Sequence, residues 1–363
     1  MDSSFTIIQI LLFLGAAQGL FLALILLSTR KSNRQANRYL AAILTIFCLN
    51  IIIHNISHQP SKYSIPHHEV IITIMFYLFG PLFYLYVNSL TIRMPSANRR
   101  NYFHYLPFFV CAIISVPLYI FSSDLVQPHI ILEVFSGLVV IHVLVYMSWS
   151  VRLLLVHSRT IKESFSTIDK INLNWLRFLM IGFTITWLAA LFFDMQIKGS
   201  GDWDYVWLLV SVLMYLIGYM GLRQPEIFSG DMSMTYALKK KYEKSALTNE
   251  SAELYLKKLQ QYMHVEKPYL NSNITLPELA RNVSMSVHHL SQVINDKLNQ
   301  NFFDFINQYR VEEAKKLLLE TDKKHLTIVA IGFESGFNSN SSFNAVFKKL
   351  TNRTPSQYRK SLS

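Results

Sequence analysis

Seven long apolar runs in the first 222 residues constrain the fold of this chain more than any other feature of its sequence. A helix needs about 20 apolar residues to cross the ~30 Å hydrocarbon core of a bilayer, whereas runs of about 10–14 are typical of buried helices in soluble proteins. The sequence therefore predicts an all-α fold that begins with a seven-helix transmembrane bundle in residues 1–222. The runs are 5–27, 40–56, 70–90, 103–121, 130–156, 176–193 and 205–222.

Basic residues in the connections between these runs predict how the bundle is oriented. The first, third and fifth connections carry ten Lys and Arg residues, whereas the second, fourth and sixth carry two. Lys and Arg concentrate in the cytoplasmic loops of membrane proteins. We therefore expect a multi-pass protein of the bacterial cytoplasmic (inner) membrane, with its amino terminus outside and residues 223–363 in the cytoplasm.

Few groups inside the apolar runs could carry chemistry. Glu133 and His142 lie in the fifth run, and ionisable residues at membrane depth are candidates for function, so both are candidates for signal sensing; Glu133 could instead simply reach the headgroups. Cys48 and Cys111 fall in apolar runs, are expected to be buried, and cannot make a disulfide framework or a zinc site. With no paired carboxylates, phosphate loop or metal-ligand cluster in this half, we expect no enzyme activity, no cofactor and no metal.

Residues 223–270 form a polar connector. Four apolar residues spaced by four, three and four positions predict one amphipathic helix that docks on the next domain or pairs with a second copy; they are Ala252, Leu256, Leu259 and Met263. Thr248 or Asn249 can cap its start, and Pro268 stops the helix shortly after its end. The basic run 239–241 either contacts anionic lipid or forms a solvated face.

Residues 271–363 predict a separate all-helical domain that begins with a helix-turn-helix unit. In TLPELARNVSMSVHHLSQVINDKL, Thr275 and Glu278 form a capping box for the first helix, and Ser286 can cap the second. Short polar side chains near the start of such a second helix are suited to hydrogen bonds with base edges in the major groove. The polar residues on the outer face of this helix are His288, Ser291, Gln292 and Asn295.

The helix-turn-helix pattern then occurs a second time. Four positions recur 52 residues later: Leu276, Leu279, Ala280 and Met285 match Ile328, Ile331, Gly332 and Phe337. After one inserted residue the second helix matches at a spacing of 53, and Asn299 and Asn352 stand where each second helix ends, in a left-handed position that Asn tolerates. Between the units, DFINQYRVEEAKKLLLE predicts one long helix that would hold two recognition helices for successive major grooves, about 34 Å apart.

The charge of this domain is modest for a DNA-binding domain. Residues 271–363 contain 12 Lys and Arg against 8 Asp and Glu. We therefore expect phosphate contacts from a few residues rather than from a basic tail. The candidates are Lys348, Lys349 and Arg353.

Residues 274–360 resemble the DNA-binding domain of AraC/XylS-type transcription regulators. The resemblance rests on FINQYRVEEAKKLL, IGFESGFNSNSSFNAVFKK and TPSQYR, and the whole chain is similar to membrane-tethered members of that family. It implies base-reading side chains on the outer face of each second helix, which adds Asn340, Ser341 and Asn344. Gly332 stands where the family favours Ala and should weaken its helix by about 1 kcal/mol. Ala345 stands where the family often has Arg and should weaken the grip of the second unit on DNA.

Together these features predict a membrane-bound one-component transcription regulator. Its expected partners are double-stranded promoter DNA, the lipid bilayer, RNA polymerase, a second copy of the chain, and an unknown small-molecule or envelope signal. The signal could act by dimerisation through the 248–264 helix or by proteolytic release in residues 223–247. The alternatives are a transporter or membrane enzyme with a regulatory tail, and spans that act only as an anchor.

Overall fold

The chain is mainly helical over the residues that the structure, a computed structural model, describes. The described residues are 6–29, 33–57, 68–91, 99–120, 128–169, 171–196, 204–223, 247–320 and 325–361. Within these ranges β pairing is limited to one isolated bridge, between Phe165 and Thr275, so the predicted all-α class is confirmed. Two compact units are present: Met1–His157 with Leu173–Ile227, and Ser158–Asn172 with Phe228–Ser363.

Long apolar helices form the first unit. Six helical stretches among the described residues are long and apolar enough to cross a membrane. The predicted run 176–193 lies in α6, which is not among these six, so a total of seven spans stays a prediction. The helices are α1 (Ile7–Ser28), α2 (Arg34–Ser57), α3 (His68–Thr91), α4 (Leu106–Ile120, after a 3-10 helix over Arg99–Tyr105), α5 (Pro128–Ser164), α6 (Asn174–Gln196) and α7 (Asp204–Arg223).

Close packing joins the first helices of this unit. A Cβ at Gly19 of α1 would lie 2.5 Å from Cys48 Sγ of α2, so only glycine allows the two helices to approach this far. Phe47 of α2 packs edge-to-face on Phe79 of α3, with ring centroids 5.0 Å apart. Small residues and tight side-chain packing are the main source of helix association in lipid. Both cysteines are buried and unbridged, as expected.

Side-chain caps begin the helices of the C-terminal domain, which lies in the second unit. Thr248, Thr275 and Ser286 each accept a hydrogen bond from a backbone N–H of the following turn, which confirms these predicted starts. Each such cap is worth about 1 kcal/mol. The helices are α8 (Asn249–Val265), a 3-10 turn (Pro268–Leu270), α9 (Leu276–Asn282), α10 (Val287–Gln292, continued by a π-helical turn over Val293–Lys297), α11 (Phe302–Leu319), α12 (Ile328–Glu334), α13 (Asn340–Thr351) and α14 (Pro355–Lys360).

The long helix α11 shares its apolar face between two cores. Its first half packs with the first helix-turn-helix unit, α9 and α10, through Phe302, Phe305 and Ile306. Its second half packs with the second unit, α12 and α13, through Val311, Ala314, Leu317 and Leu318. The long helix predicted between the two helix-turn-helix units is therefore part of both cores, and it fixes both units on one helix.

The apolar stripe of α8 is used within the domain. Leu259 and Met263 are fully buried in the first core, beside α9 and α11. Of the two roles left open by the sequence, docking on the domain is the one that the structure shows. Pairing with a second copy through the same stripe would require α8 to leave this core.

The structure changes the expected role of Gly332 in α12. A Cβ at this position would lie 2.7 Å from Cδ1 of Phe343, a side chain that is fully buried in the second core. The expectation that Gly332 only weakens its helix was therefore incomplete. The loss of helix propensity, about 1 kcal/mol, makes room for a large aromatic ring that alanine would displace.

Candidate nucleic-acid interface

Helix α10 positions the first set of predicted base-reading side chains. Ser286 Oγ accepts a hydrogen bond from the backbone N–H of His289 at 3.1 Å and fixes the start of the helix. Leu290 is fully buried and anchors the inner face. The ring of His289 stacks on Tyr255 of α8, with centroids 5.8 Å apart. His289 thus has a structural contact, and His288 stays the candidate for DNA.

The four candidates of the first set differ in exposure. Asn295 is exposed, and its Nδ2 donates to Ser291 Oγ at 3.3 Å. His288 and Gln292 are half-buried, and Gln292 Oε1 is enclosed without a hydrogen-bond partner among the described residues. An enclosed amide oxygen without a partner is unfavourable. Gln292 would gain partners by turning outward, which suits an amide that hydrogen-bonds a base.

Helix α13 positions the second set. Ser339 Oγ accepts from the backbone N–H of Ser342 at 3.1 Å and caps the helix. Asn340 and Ser341 are exposed in its first turn. Asn344, one turn later, donates from Nδ2 to the backbone oxygen and to Oδ1 of Asn340, both at 2.8 Å. The structure thus joins Asn340 and Asn344 in one polar surface at the start of the helix.

The repeat makes the two recognition helices comparable position by position. At a spacing of 53, His288 pairs with Ser341, Ser291 with Asn344, Gln292 with Ala345 and Asn295 with Lys348. Two carboxamides of the first helix are thus replaced by a methyl group and an amine in the second. The second helix offers fewer groups for base edges and one more for phosphate.

The three predicted phosphate-contacting residues lie at the end of α13. Lys348 and Arg353 are exposed and form no ion pair with any described residue. Lys349 Nζ lies 2.9 Å from Asp304 Oδ1 of α11, which neutralises part of its charge. Lys348 and Arg353 are therefore better placed than Lys349 to meet a phosphate.

Left-handed residues shape the turns and helix ends of both units. Asn299 and Asn352 have φ of 51° and 56°, which confirms the left-handed positions predicted for them. Within the turns, Ser284 (φ 56°) and Gly336 (φ 89°) occupy equivalent positions of the repeat. A Cβ at Gly336 would lie 2.3 Å from the carbonyl oxygen of Tyr269, so the second turn needs glycine where the first does not.

Arg310 of α11 is the most enclosed charge of the domain, with 1% of its surface exposed. Its Nε donates to Tyr269 O at 2.8 Å, and its two terminal nitrogens donate to Asn307 Oδ1, Asn271 O and both oxygens of Ser166 at 3.0–3.2 Å. All five donors of a guanidinium are thereby used. Burial lowers the pKa of Arg310 to about 10, which leaves it charged at neutral pH.

A second charged group supports the turn that Arg310 holds. Glu313 lies 2.9 Å from Lys267 Nζ and accepts a hydrogen bond from the Tyr269 hydroxyl at 3.3 Å. Burial raises the pKa of Glu313, but Lys267, the charge of Lys316 and the hydrogen bond from Tyr269 together outweigh burial, so the pKa is lowered overall. Burial, together with the charge of Glu313, raises the pKa of Tyr269 to about 12. The 3-10 turn is thus held from both its side chains and its backbone.

The sequence analysis did not single out Arg310, although the spacing of the apolar residues around it indicates that it is buried. Arg310 lies four residues after Ile306 and four before Ala314, both of them buried. Residues at this spacing lie on one face of a helix. A charged residue on an apolar face predicts a buried and fully hydrogen-bonded group.

The two candidates for sensing lie on α5 but do not form one site. Glu133 and His142 are nine residues apart, which corresponds to about 13 Å along a helix. Glu133 is exposed, whereas the His142 ring lies against Tyr77 and Tyr146, with centroids 5.3 and 4.9 Å away. Neither ring nitrogen of His142 has a partner among the described residues. His142 is therefore the stronger candidate for a polar role within the bundle.

Comparison with known proteins defines the class of the C-terminal domain. Residues 279–361 match the protein family described as a helix-turn-helix domain. This range contains both helix-turn-helix units, from within α9 to the end of α14. The match lies entirely within the C-terminal domain.

Relatives of this region include bacterial proteins named as regulators. An uncharacterized HTH-type transcriptional regulator of Staphylococcus aureus strain COL is 38% identical over 91 residues, which are 25% of this chain and 12% of that protein. One from Pseudoalteromonas carrageenovora, in the cgkA 5′ region, is 36% identical over 101 residues, 28% of this chain and 57% of that protein. A solved structure of a protein of unknown function from Listeria innocua covers 30% of this chain and 97% of its own, with 27% identity and a TM-score of 0.26.

Proposed function

We propose that this chain is a membrane-bound transcription regulator whose C-terminal domain binds promoter DNA in a sequence-dependent way. The observation that carries the proposal is the duplicated helix-turn-helix unit. Its two capped recognition helices, α10 and α13, both pack in cores to which the long helix α11 contributes. Both present short polar side chains at their start, where major-groove recognition needs them. The relatives named as transcriptional regulators support the same function.

In this proposal the first helix-turn-helix unit reads bases, and the second helix-turn-helix unit mainly contacts the DNA backbone. His288, Ser291, Gln292 and Asn295 are the base readers of α10, with a smaller contribution from Asn340, Ser341 and Asn344 of α13. Lys348 and Arg353 contact phosphates, and Lys349 does so when it leaves Asp304. Contact with RNA polymerase follows from the proposed function, and contact with a second copy follows from the amphipathic pattern of the 248–264 helix.

Two substitutions test this division. With a duplex selected by the full-length protein from a random pool, Gln292→Ala should reduce discrimination between matched and mismatched duplexes by about tenfold, because one bidentate base contact is worth roughly 1–3 kcal/mol. Lys348→Ala should weaken binding to all duplexes alike and reduce the slope of log K against log salt by about one. Lys258→Ala, an exposed lysine of α8, is the control. Equal affinity of the unmodified protein for every duplex would contradict the proposal.

We also propose that the N-terminal compact unit, Met1–His157 with Leu173–Ile227, spans the cytoplasmic membrane and leaves the DNA-binding domain in the cytoplasm. Six helices have the length and composition for crossing, and they expose large apolar side chains, among them Ile7, Phe21, Ile113 and Ile141. An apolar surface of this extent favours lipid over water. The excess of Lys and Arg in alternate connections supports the orientation.

Reporter fusions test this orientation. Green fluorescent protein fused after Ser363 should fluoresce and alkaline phosphatase at the same site should be inactive, because the former folds in the cytoplasm and the latter needs the exterior. Fusions after Ser123, in the fourth connection, should give the opposite result. An active phosphatase after Ser363 would place the domain on the wrong side for DNA.

A sensing role for the membrane unit completes the proposal, with His142 as its first candidate group. A transporter or membrane enzyme is the weaker alternative, since the sequence shows neither paired acidic residues nor interrupted helices in matching positions of two repeats. Spans that only anchor the domain are the remaining alternative. The stretch proposed for proteolytic release, residues 223–247, falls outside the described residues except for its ends.

A further inference from the structure

A short extended segment between α5 and α6 lies against the DNA-binding domain. This segment, Phe165–Asp169, is called the strap here. Phe165 forms an antiparallel bridge with Thr275, the cap of α9. Ser166 donates to Ile274 O from its backbone nitrogen at 3.4 Å and from Oγ at 2.7 Å. Thr167 Oγ1 donates to Ser272 O at 2.6 Å. The strap thus pairs with the backbone that leads into α9, the first helix of the first helix-turn-helix unit.

Arg310 holds the strap from the other side. Its terminal nitrogens donate to the backbone oxygen and to Oγ of Ser166, both at 3.1 Å. Ser166 and Arg310 are each only 1% exposed. A hydroxyl that donates to one backbone oxygen and accepts from a buried guanidinium is specifically bound. Two of the five hydrogen bonds of Arg310 therefore depend on the strap.

The strap also reaches the second recognition helix. Asp169 Oδ2 accepts a hydrogen bond from Ser339 Oγ, the cap of α13. Asn340 and Ser341, two candidate base readers, follow directly along the chain. A carboxylate at the positive end of a helix dipole is favourable. It is also a negative charge at a helix start of the kind that contacts DNA phosphates.

We propose that the strap is an internal competitor of DNA for α13, held on a docking surface made of Ser272–Thr275, Arg310 and Ser339. This inference rests on the proposed DNA-binding function. When the strap is docked, Asp169 repels the phosphate that would lie at the start of α13. Because the strap is covalently continuous with α5 and α6, a movement of these helices would pull it off the surface. The strap is thereby the link through which the membrane unit controls DNA binding.

Neutralising Asp169 tests the competition in the full-length protein in lipid nanodiscs. The probe is the duplex that the unmodified protein selects from a random pool. Asp169→Asn should bind it about fivefold more tightly, because a charge-assisted hydrogen bond that holds the strap is weakened and a repulsion is removed. Glu266→Gln, which removes one exposed negative charge elsewhere in the same unit, should change affinity less than twofold. An unchanged or weaker affinity of Asp169→Asn would overturn the inference.

A disulfide between strap and domain gives a readout that does not depend on DNA affinity alone. Residues opposite each other in an antiparallel pair have Cα atoms about 4.5–5.5 Å apart, within disulfide range. Phe165→Cys with Thr275→Cys should therefore crosslink on oxidation, and the selected duplex should slow the crosslinking. The oxidised protein should bind the duplex about tenfold more weakly than the reduced one, whereas a variant with only one of the two substitutions should be insensitive to oxidation, because Cys48 and Cys111 are buried.

The outcomes separate this inference from the proposed function. Failure to crosslink would show that the strap does not dock, and equal binding by oxidised and reduced protein would show that docking does not compete with DNA. Either result would overturn the inference and leave DNA binding standing. Absence of duplex binding by the unmodified and reduced proteins, with crosslinking intact, would instead overturn the proposed function and the competition together.

Discussion

Replacing Arg310 with methionine should lower the free energy of unfolding of the C-terminal domain by about 3–5 kcal/mol. The substitution leaves the carbonyl oxygens of Tyr269, Asn271 and Ser166 without the donors that they have in the structure. An unsatisfied buried polar group costs about 1–3 kcal/mol. Methionine retains most of the apolar volume of the side chain, so the loss would come from hydrogen bonding and not from a cavity.

Hydrogen–deuterium exchange on the full-length protein measures this effect. The slowest amides of α11 report the opening of the domain as a whole. They should exchange about a hundredfold to several thousandfold faster in Arg310→Met, because each factor of ten equals about 1.4 kcal/mol. Arg281→Met, at an exposed arginine of α9, is the matched control and should stay within about 0.5 kcal/mol. Equal exchange in the two variants would show that Arg310 does not hold the domain together.

The predictable part of this fold follows from local rules. Thr275, Ser286 and the left-handed Asn299 could be assigned from neighbours within a few positions, because helix caps and helix ends depend on the residues next to them. The two cores could be anticipated because the repeat places equivalent apolar residues on the same helix faces. The helix-turn-helix class of the domain follows from these helix caps and from the repeat of apolar residues.

The unpredicted part depends on residues that are distant in the sequence. The oxygens that bind Arg310 come from positions 41, 39 and 144 residues away, and no periodicity within α11 indicates them. The expectation for Gly332 came from a comparison with the alanine that the family favours at this position. Its role in the structure depends instead on the ring of Phe343, eleven residues later. The sequence predicted the strap only as part of a cytoplasmic connection, and its five residues give no sign of the surface on which it lies.

Gly336 shows how the two units differ despite their repeat. It is equivalent to Ser284, and both residues have left-handed backbone conformations. At Gly336, however, a Cβ would lie 2.3 Å from Tyr269 O and 2.9 Å from Leu270 Cα, both backbone atoms that cannot rotate away. Tyr269 O is also the acceptor for Arg310 Nε. The turn of the second unit is therefore seated directly on the 3-10 turn that Arg310 holds.

Gly336→Ala should consequently lower the free energy of unfolding by about 3 kcal/mol or more. A left-handed conformation costs alanine about 1–2 kcal/mol, and overpacking against fixed backbone costs about 1–3 kcal/mol. Exchange should accelerate in α12 and α13 first, because their turn must move away from the 3-10 turn. Ser284→Ala, which also places alanine at the equivalent turn, is the control. Ser284 already has a Cβ, so this substitution should change the free energy of unfolding by less than about 0.5 kcal/mol. If both alanine variants exchanged alike, the close approach at Gly336 would not be what distinguishes the two units.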